Sequence, residues 1–300
     1  MFYKLKDQLR RGFFSRRVQG LLHTAPLELG DPAGPVVLSQ LQHKDVLMYL
    51  AAVKSFARRV PPSVVHVVDD GSLTQEDRAL LARHVPDMHF HALVDCREPG
   101  LPTGGTWERL IAIARLSQTH YVIQLDADTL TQGPIDEVAT AVQTNRAFTI
   151  GTRTGQEIEI AREQAGWTRA HDAAAAHVQI QAEVHFDCLR EAATLKYTRG
   201  CSGFAGFPAG SGKIELMHSL SSQMQKLIGD KWHEWGSEQV MSNLVVANQH
   251  DAQVLPHPDY TDCQKIQPET TRFVHFIGTC RFRDGRYADM INRLQLEGIL

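Results

Sequence analysis

The run Tyr121 to Leu125 is apolar except for Gln124 and stops abruptly at the triplet Asp126, Ala127, Asp128. A strand apolar on both faces has to lie inside a covered sheet, which is the habit of parallel sheets flanked by helices. Upstream the pattern repeats. Val36 to Leu38 reads as a first strand, and the helical spacing Val46, Leu47, Leu50, Val53, Phe56 follows until Pro61 and Pro62 stop it. Val64 to Val68 is rich in β-branched residues and closes on Asp69, Asp70, Gly71 and Ser72, a strand ending in a tight polar turn. A second helix is expected from about Gln75 to Arg83, a third strand from Phe90 to Val94, and a third helix from Trp107 to Leu116 after a glycine- and proline-rich loop. This strand–helix alternation predicts an α/β fold: a doubly wound, mostly parallel sheet that collects ligands at the carboxyl ends of its strands.

The second half is less regular. Phe148 to Thr152 and Arg272 to Ile277 read as strands, Ser237 to Ala247 as a helix, and the alanine-rich stretch Glu157 to Arg190 as largely helical. Gly200 to Gly212 contains five glycines, so the backbone there turns sharply or lets something approach closely. No repeat or linker divides the 300 residues, so a single domain over 21–300 is expected behind a basic segment, 1–20.

Net charge is −3, which gives no general attraction to nucleic acid. No apolar run approaches the roughly 18–20 residues of a membrane span. The five cysteines are odd in number, widely spaced and without a C-x-x-C pair, so free thiols in a reducing, cytoplasmic setting are expected. In residues 1–18, Lys4, Lys6, Arg10, Arg11, Arg16 and Arg17 alternate with Phe2, Leu5, Leu9 and Phe13. A helix of this pattern either lies peripherally on an anionic membrane or is a solvated or core-packed terminal helix.

Two carboxylates two residues apart at a strand end can share one hard cation and leave positions for water and a diphosphate. Alone, such a triplet is common in surface turns. Together with the strand before it, Y-V-I-Q-L-D-A-D-T from Tyr121 to Thr129 resembles the D-x-D strand of glycosyltransferases of the GT-A fold. V-V-H-V-V-D-D-G-S, Val64 to Ser72, resembles the second-strand motif with which those enzymes hold a nucleotide sugar, and the two motifs cover about half the chain in the family's order.

The resemblance implies that Asp69, Asp70 and Gly71 meet the nucleotide, and that Asp126 and Asp128 bind Mn²⁺ or Mg²⁺ bridging its phosphates. It further implies roles toward the nucleotide sugar for Gly105 and Arg109 in the helix-entry loop and for Gly203 in C-S-G-F-A-G-F, Cys201 to Phe207. His275, in R-F-V-H-F-I-G-T-C-R-F, resembles the C-terminal histidine that completes the metal shell of glycogenin-like and lipopolysaccharide galactosyltransferase-like retaining enzymes. The match is partial, since Thr279, Cys280 and Arg281 replace the lysine, proline and tryptophan common there.

Glu238 and Gln239 open a helix and are the candidate catalytic pair. Glu238 is either a base for inverting transfer or, with Gln239, the holder of the donor sugar in retaining transfer, toward which His275 tilts the expectation. The expected reaction is transfer from a nucleotide sugar, UDP-sugar favoured, to a saccharide, lipid-linked or other hydroxyl acceptor. A nucleotidyltransferase is disfavoured because Ser39, Gln40, Leu41 and Gln42 follow the first strand where a glycine-rich phosphate loop belongs, and a dehydrogenase because no G-x-G-x-x-G appears. A binding protein of this fold without catalysis stays open.

Overall fold

The structure, a computed structural model, describes residues 2–172 and 175–300, with the side chains of 2–7 outside the description. Ten helices and twelve strands are named in chain order among these residues. The helices are α1 (Phe2–Arg17), α2 (Val46–Ala57), α3 (Gln75–His84), α4 (Trp107–Leu116), α5 (Asp136–Gln143), α6 (Ala161–His171), α7 (Val178–Glu183), α8 (Ile214–Ile228), α9 (Ser237–Ala247) and α10 (Arg286–Leu296). The strands are β1 (Val36–Leu41), β2 (Val64–Asp69), β3 (His89–Ala92), β4 (Val122–Leu125), β5 (Thr129–Thr131) and β6 (Phe148–Ile150), then β7 (Glu159–Ile160), β8 (Lys196–Tyr197), β9 (Cys201–Phe207), β10 (Gln253–Leu255), β11 (Tyr260–Asp262) and β12 (Phe273–His275).

The main sheet runs β10-β6-β9-β4-β1-β2-β3. Its pairs are parallel except those of β9, which runs antiparallel to both β4 and β6. The expected doubly wound, mostly parallel sheet is therefore present. The first strand extends to Leu41 rather than ending at Leu38, so Ser39 and Gln40 belong to β1. The third is shorter than expected and gives way to a 3₁₀ turn at Leu93–Cys96.

Within the glycine-rich segment, Cys201–Phe207 forms the interior strand β9, between β6 and β4, and the close approach expected there is present. A Cβ on Gly206 would collide with Phe148 and Tyr121, and one on Gly200 with Thr149 and Asn243. Glycine is required there because neighbouring side chains cross the strand. The alanine-rich stretch is largely helical, as expected, and its breaks divide it into β7, α6, α7 and a 3₁₀ turn.

A small sheet of order β11-β12-β5 lies beside the main one, and β12 runs antiparallel to β5, which begins one residue past Asp128. This pairing carries the distant His275 to the end of β4. The expectation of free thiols is corrected for one pair, because Cys263 and Cys280 are disulfide-bonded, with Cα atoms 6.3 Å apart. The strand β12 between them folds the chain back, which spacing alone does not reveal. Cys96, Cys188 and Cys201 are free.

Candidate active site

β1 lies between β2 and β4, all parallel, so the turn after β2 and the acidic triplet after β4 share one edge of the sheet. Asp69 is drawn into its own turn. Its carboxylate accepts from the amides of Gly71 at 2.8 Å and Leu73 at 3.3 Å and pairs with Arg78. Asp70 accepts from the amide and hydroxyl of Ser72 at 2.9 and 2.5 Å, and Gly71 is exposed with φ +91°.

Asp126, Asp128 and His275 offer ligand atoms that all lie within 4.8 Å of one another. His275 Nε2 is 3.1 Å from Asp128 Oδ1 and 3.8 Å from Asp126 Oδ2. Donor atoms sharing a small divalent cation sit about 3 Å apart, and two carboxylates with one imidazole suit Mn²⁺. The donor set therefore fits the expected cation. On the far side of the ring, Nδ1 faces the Cys201 sulfur at 2.9 Å. The imidazole packs against β9, where a Cβ on Gly203 would collide with it. The close approach that Gly203 permits is thus that of His275, while its carbonyl accepts from the Asp126 amide at 2.9 Å.

Burial penalises charge on all three groups, and the neighbours decide the result. Asp128 ends below its ordinary value because His275 and Arg281 outweigh the desolvation, whereas Asp126 ends above it despite Arg109 and His275. His275 is raised well above the usual histidine range, since Cys201 and Asp128 overcome its burial. Arg281, unforeseen as a site residue, places its Nε 3.4 Å from Asp128 Oδ2. The signal for it was the departure from the family pattern after His275.

Arg109 is 3% exposed and bridges the two halves of the site. It pairs with Asp126 on one side and with both oxygens of Glu238 at 3.3 Å on the other, while its Nε is buried without a partner. Burial raises the Glu238 carboxyl above the usual range, although Arg109 and the Thr106 hydroxyl, 2.9 Å away, work against the rise.

The loop before α4 holds Gly104 and Gly105 at φ +78° and +54° and then Thr106 at +77°. A β-branched residue in that region is strained by about 1–3 kcal/mol, and such strain gathers at functional sites. The Gly104 amide is already bonded to Glu108 at 3.0 Å, so that amide serves the loop itself. Gln239 donates to Gln179 Oε1 at 3.2 Å and accepts from the Ser202 hydroxyl at 3.5 Å.

The sheet order, the acidic edge and the histidine carried in by β12 define the fold of the GT-A glycosyltransferases. Among solved structures the chain is similar to the galactosyltransferase LgtC in complex with donor and acceptor sugar analogs, at 12% identity and a TM-score of 0.51, covering 88% of this chain and 100% of that one. Mouse xyloside xylosyltransferase 1 (15% identity, TM-score 0.44, 83% of this chain and 98% of that one) also matches. So does Aspergillus fumigatus core-mannan synthase A in a Mn/GDP form (11%, 0.45, 89% and 89%). No family model and no curated protein matches the sequence. At 12% identity the likeness to LgtC establishes the fold, and chemistry has to be argued from the side chains.

Proposed function

We propose that the protein is a divalent-metal-dependent glycosyltransferase, moving a sugar from a nucleotide sugar, UDP-sugar favoured, to a hydroxyl acceptor with retention. The observation that carries the proposal is the convergence of Asp126, Asp128 and His275 at the carboxyl edge of the sheet. A cation bound there would neutralise charge developing on the departing diphosphate. The proposed catalytic domain spans 21–300, and the turn Asp69–Asp70–Gly71 is the proposed nucleotide contact.

Arg109 fixes Asp126 and Glu238 relative to each other, so the metal end and the sugar end of the site move together. With both oxygens bonded to Arg109 and one to Thr106, Glu238 is better suited to holding than to abstracting a proton. This supports the retaining reading, in which Gln239 faces the transferred sugar. A phosphate-loop enzyme is disfavoured, as β1 runs straight through Ser39 and Gln40.

The proposed acceptor is a saccharide or a lipid-linked hydroxyl. α1 docks through Phe14, whose ring stacks on Tyr287, with Val18 just past its end in the same buried cluster, and it leaves Leu9 and Phe13 exposed at 67% and 64% among Arg10, Arg16 and Arg17. This face suits peripheral contact with an anionic membrane; Phe2, Lys4, Leu5 and Lys6 lie outside the described side chains. No helix among the described residues is long and apolar enough to cross a membrane. The cytoplasmic location is retained as a proposal to be checked by fractionation, and the Cys263–Cys280 bond counts against it.

The test is thermal shift of the purified chain with UDP, GDP and their sugars, with and without Mn²⁺, followed by transfer assays on Asp128→Ala. A metal-dependent shift and a transfer loss of at least ~100-fold are expected, since charge stabilisation by a cation is worth several kcal/mol. Unchanged transfer by Asp128→Ala at saturating donor overturns the reading.

A further inference from the structure

We propose that Trp235 and His177 form a stacking platform for a pyranose ring at the mouth of this site, an inference that rests on the glycosyl-transfer reading. Trp235 is 73% exposed, although it lies between the fully buried Trp232 and the buried start of α9. The His177 ring meets it edge to face, with centroids 6.0 Å apart and planes at 83°. Trp167, the other exposed indole, is already covered: His171 stacks on it at 4.5 Å and Arg199 lies over its ring at 5.2 Å. Trp235 keeps a broad apolar face toward solvent.

The position of this face points to a sugar. Gly105 lies beside the Trp235 backbone, where a Cβ would sit at ordinary contact distance, 3.5 Å from the Trp235 Cα. The next residue, Thr106, donates to Glu238 at 2.9 Å. His177 Nδ1 accepts from the Gln179 amide at 3.2 Å, and the Gln179 side chain accepts from Gln239 at 3.2 Å. His177 is thus tied through Gln179 to Gln239, and the Trp235 backbone lies against Gly105, the neighbour of the threonine that bonds Glu238. Gly236, at φ +103°, lets the imidazole lie against the turn, since a Cβ there would come within 2.8 Å of His177 Cε1.

A pyranose presents an apolar C–H face and a polar rim. An exposed indole beside an imidazole offers the matching surfaces, one for each. The ring on the platform belongs either to the acceptor saccharide or to the donor sugar, and the experiment separates them.

The full chain carrying Trp167→Phe leaves Trp235 as the exposed indole. Its fluorescence quenching by acrylamide is followed while methyl glycosides of glucose, galactose, mannose and N-acetylglucosamine are added, and separately UDP-glucose, UDP-galactose and GDP-mannose with Mn²⁺. Shielding by a methyl glycoside is expected, together with an acceptor KM about tenfold higher in Trp235→Ala and largely restored in Trp235→Phe. Shielding by a nucleotide sugar with a raised donor KM also supports the platform and assigns its ring to the donor.

Nucleotide binding with Mn²⁺ but no shielding and no KM change overturns the platform and leaves the transfer reading standing. No binding of any nucleotide by the unaltered chain overturns both. The side chain is exposed, so equal melting temperatures check that Trp235→Ala folds normally.

Discussion

His275 Nε2 points at Asp128 because two neighbours hold the imidazole from behind, the Cys201 sulfur on Nδ1 and the bare Cα of Gly203 against the ring. Metal-ligating histidines commonly donate their other N–H to an acceptor, which fixes the tautomer, and loss of that partner costs about 10–100-fold in metal affinity. Cys201→Val is expected to lower Mn²⁺ affinity within that range, read by electron paramagnetic resonance of free Mn²⁺. Cys201→Ser, which keeps an acceptor, is expected to retain most of the affinity, and equal affinities in all three proteins would refute the positioning role. Asp126, Asp128 and His275 were legible in the sequence because each stands at the end of, or inside, an apolar run where an ionisable group is out of place. Arg109 as the bridge was not, because its partners lie 17 and 129 positions away and each contact arises from tertiary packing.

At the scale of elements, α4 and α9 fall at the residues expected, Trp107–Leu116 and Ser237–Ala247, since glycines precede both and the apolar spacing within them is unbroken. In the region from 157 to 190 the helical character was legible and the breaks were not. There the breaks are set by the fully buried Glu183, which gathers Arg199, Tyr197, Thr168 and Gln179 around its carboxylate, a cluster no local propensity encodes. The pairing of β2 with β3 has its own consequence. His66 stacks between His89 and His91 at 4.9 and 5.0 Å, and burial, aided by charge on His91, His89 and His120, lowers its pKa from 6.5 to about 4. The unfolded chain then binds the extra proton first, so stability is complete above pH 6.5 and is lost as pH falls from 6.5 toward 4. His66→Phe keeps a ring but carries no proton. Its melting temperature is expected to rise relative to the unaltered protein as pH drops through that window, and a difference independent of pH would refute the assignment.

Across the whole molecule, the core divides into clusters on the two faces of the main sheet and a third that joins α1, α2, α10 and β12. The parallel sheet was readable from the alternation of elements, whereas the way the chain ends close the structure was not, because β12 and the Cys263–Cys280 bond depend on residues far apart in sequence. Lys54 of α2 is one of the groups that fasten the segment after α1 to the body. It is 4% exposed, donates to the Ala25 carbonyl at 2.6 Å and to the Thr24 hydroxyl, and lies 3.2 Å from His84 at the end of α3. Burial lowers its pKa from the ordinary 10.5 to about 8, so between those values the unfolded chain holds a proton that the folded chain has released. The sign follows directly: stability gains from this group as pH rises from 8 to 10.5, and below pH 8 the fold bears the full cost of a buried ammonium. Lys54→Met removes the titration and leaves the Ala25 carbonyl without its donor. The melting temperature of the unaltered protein is therefore expected to climb relative to Lys54→Met across pH 8–10.5 and to run parallel to it below pH 8. Parallel curves over the whole range would mean that Lys54 is solvated in the folded protein, and that Thr24 and Ala25 are held by the packing of Leu21 and Leu27 alone.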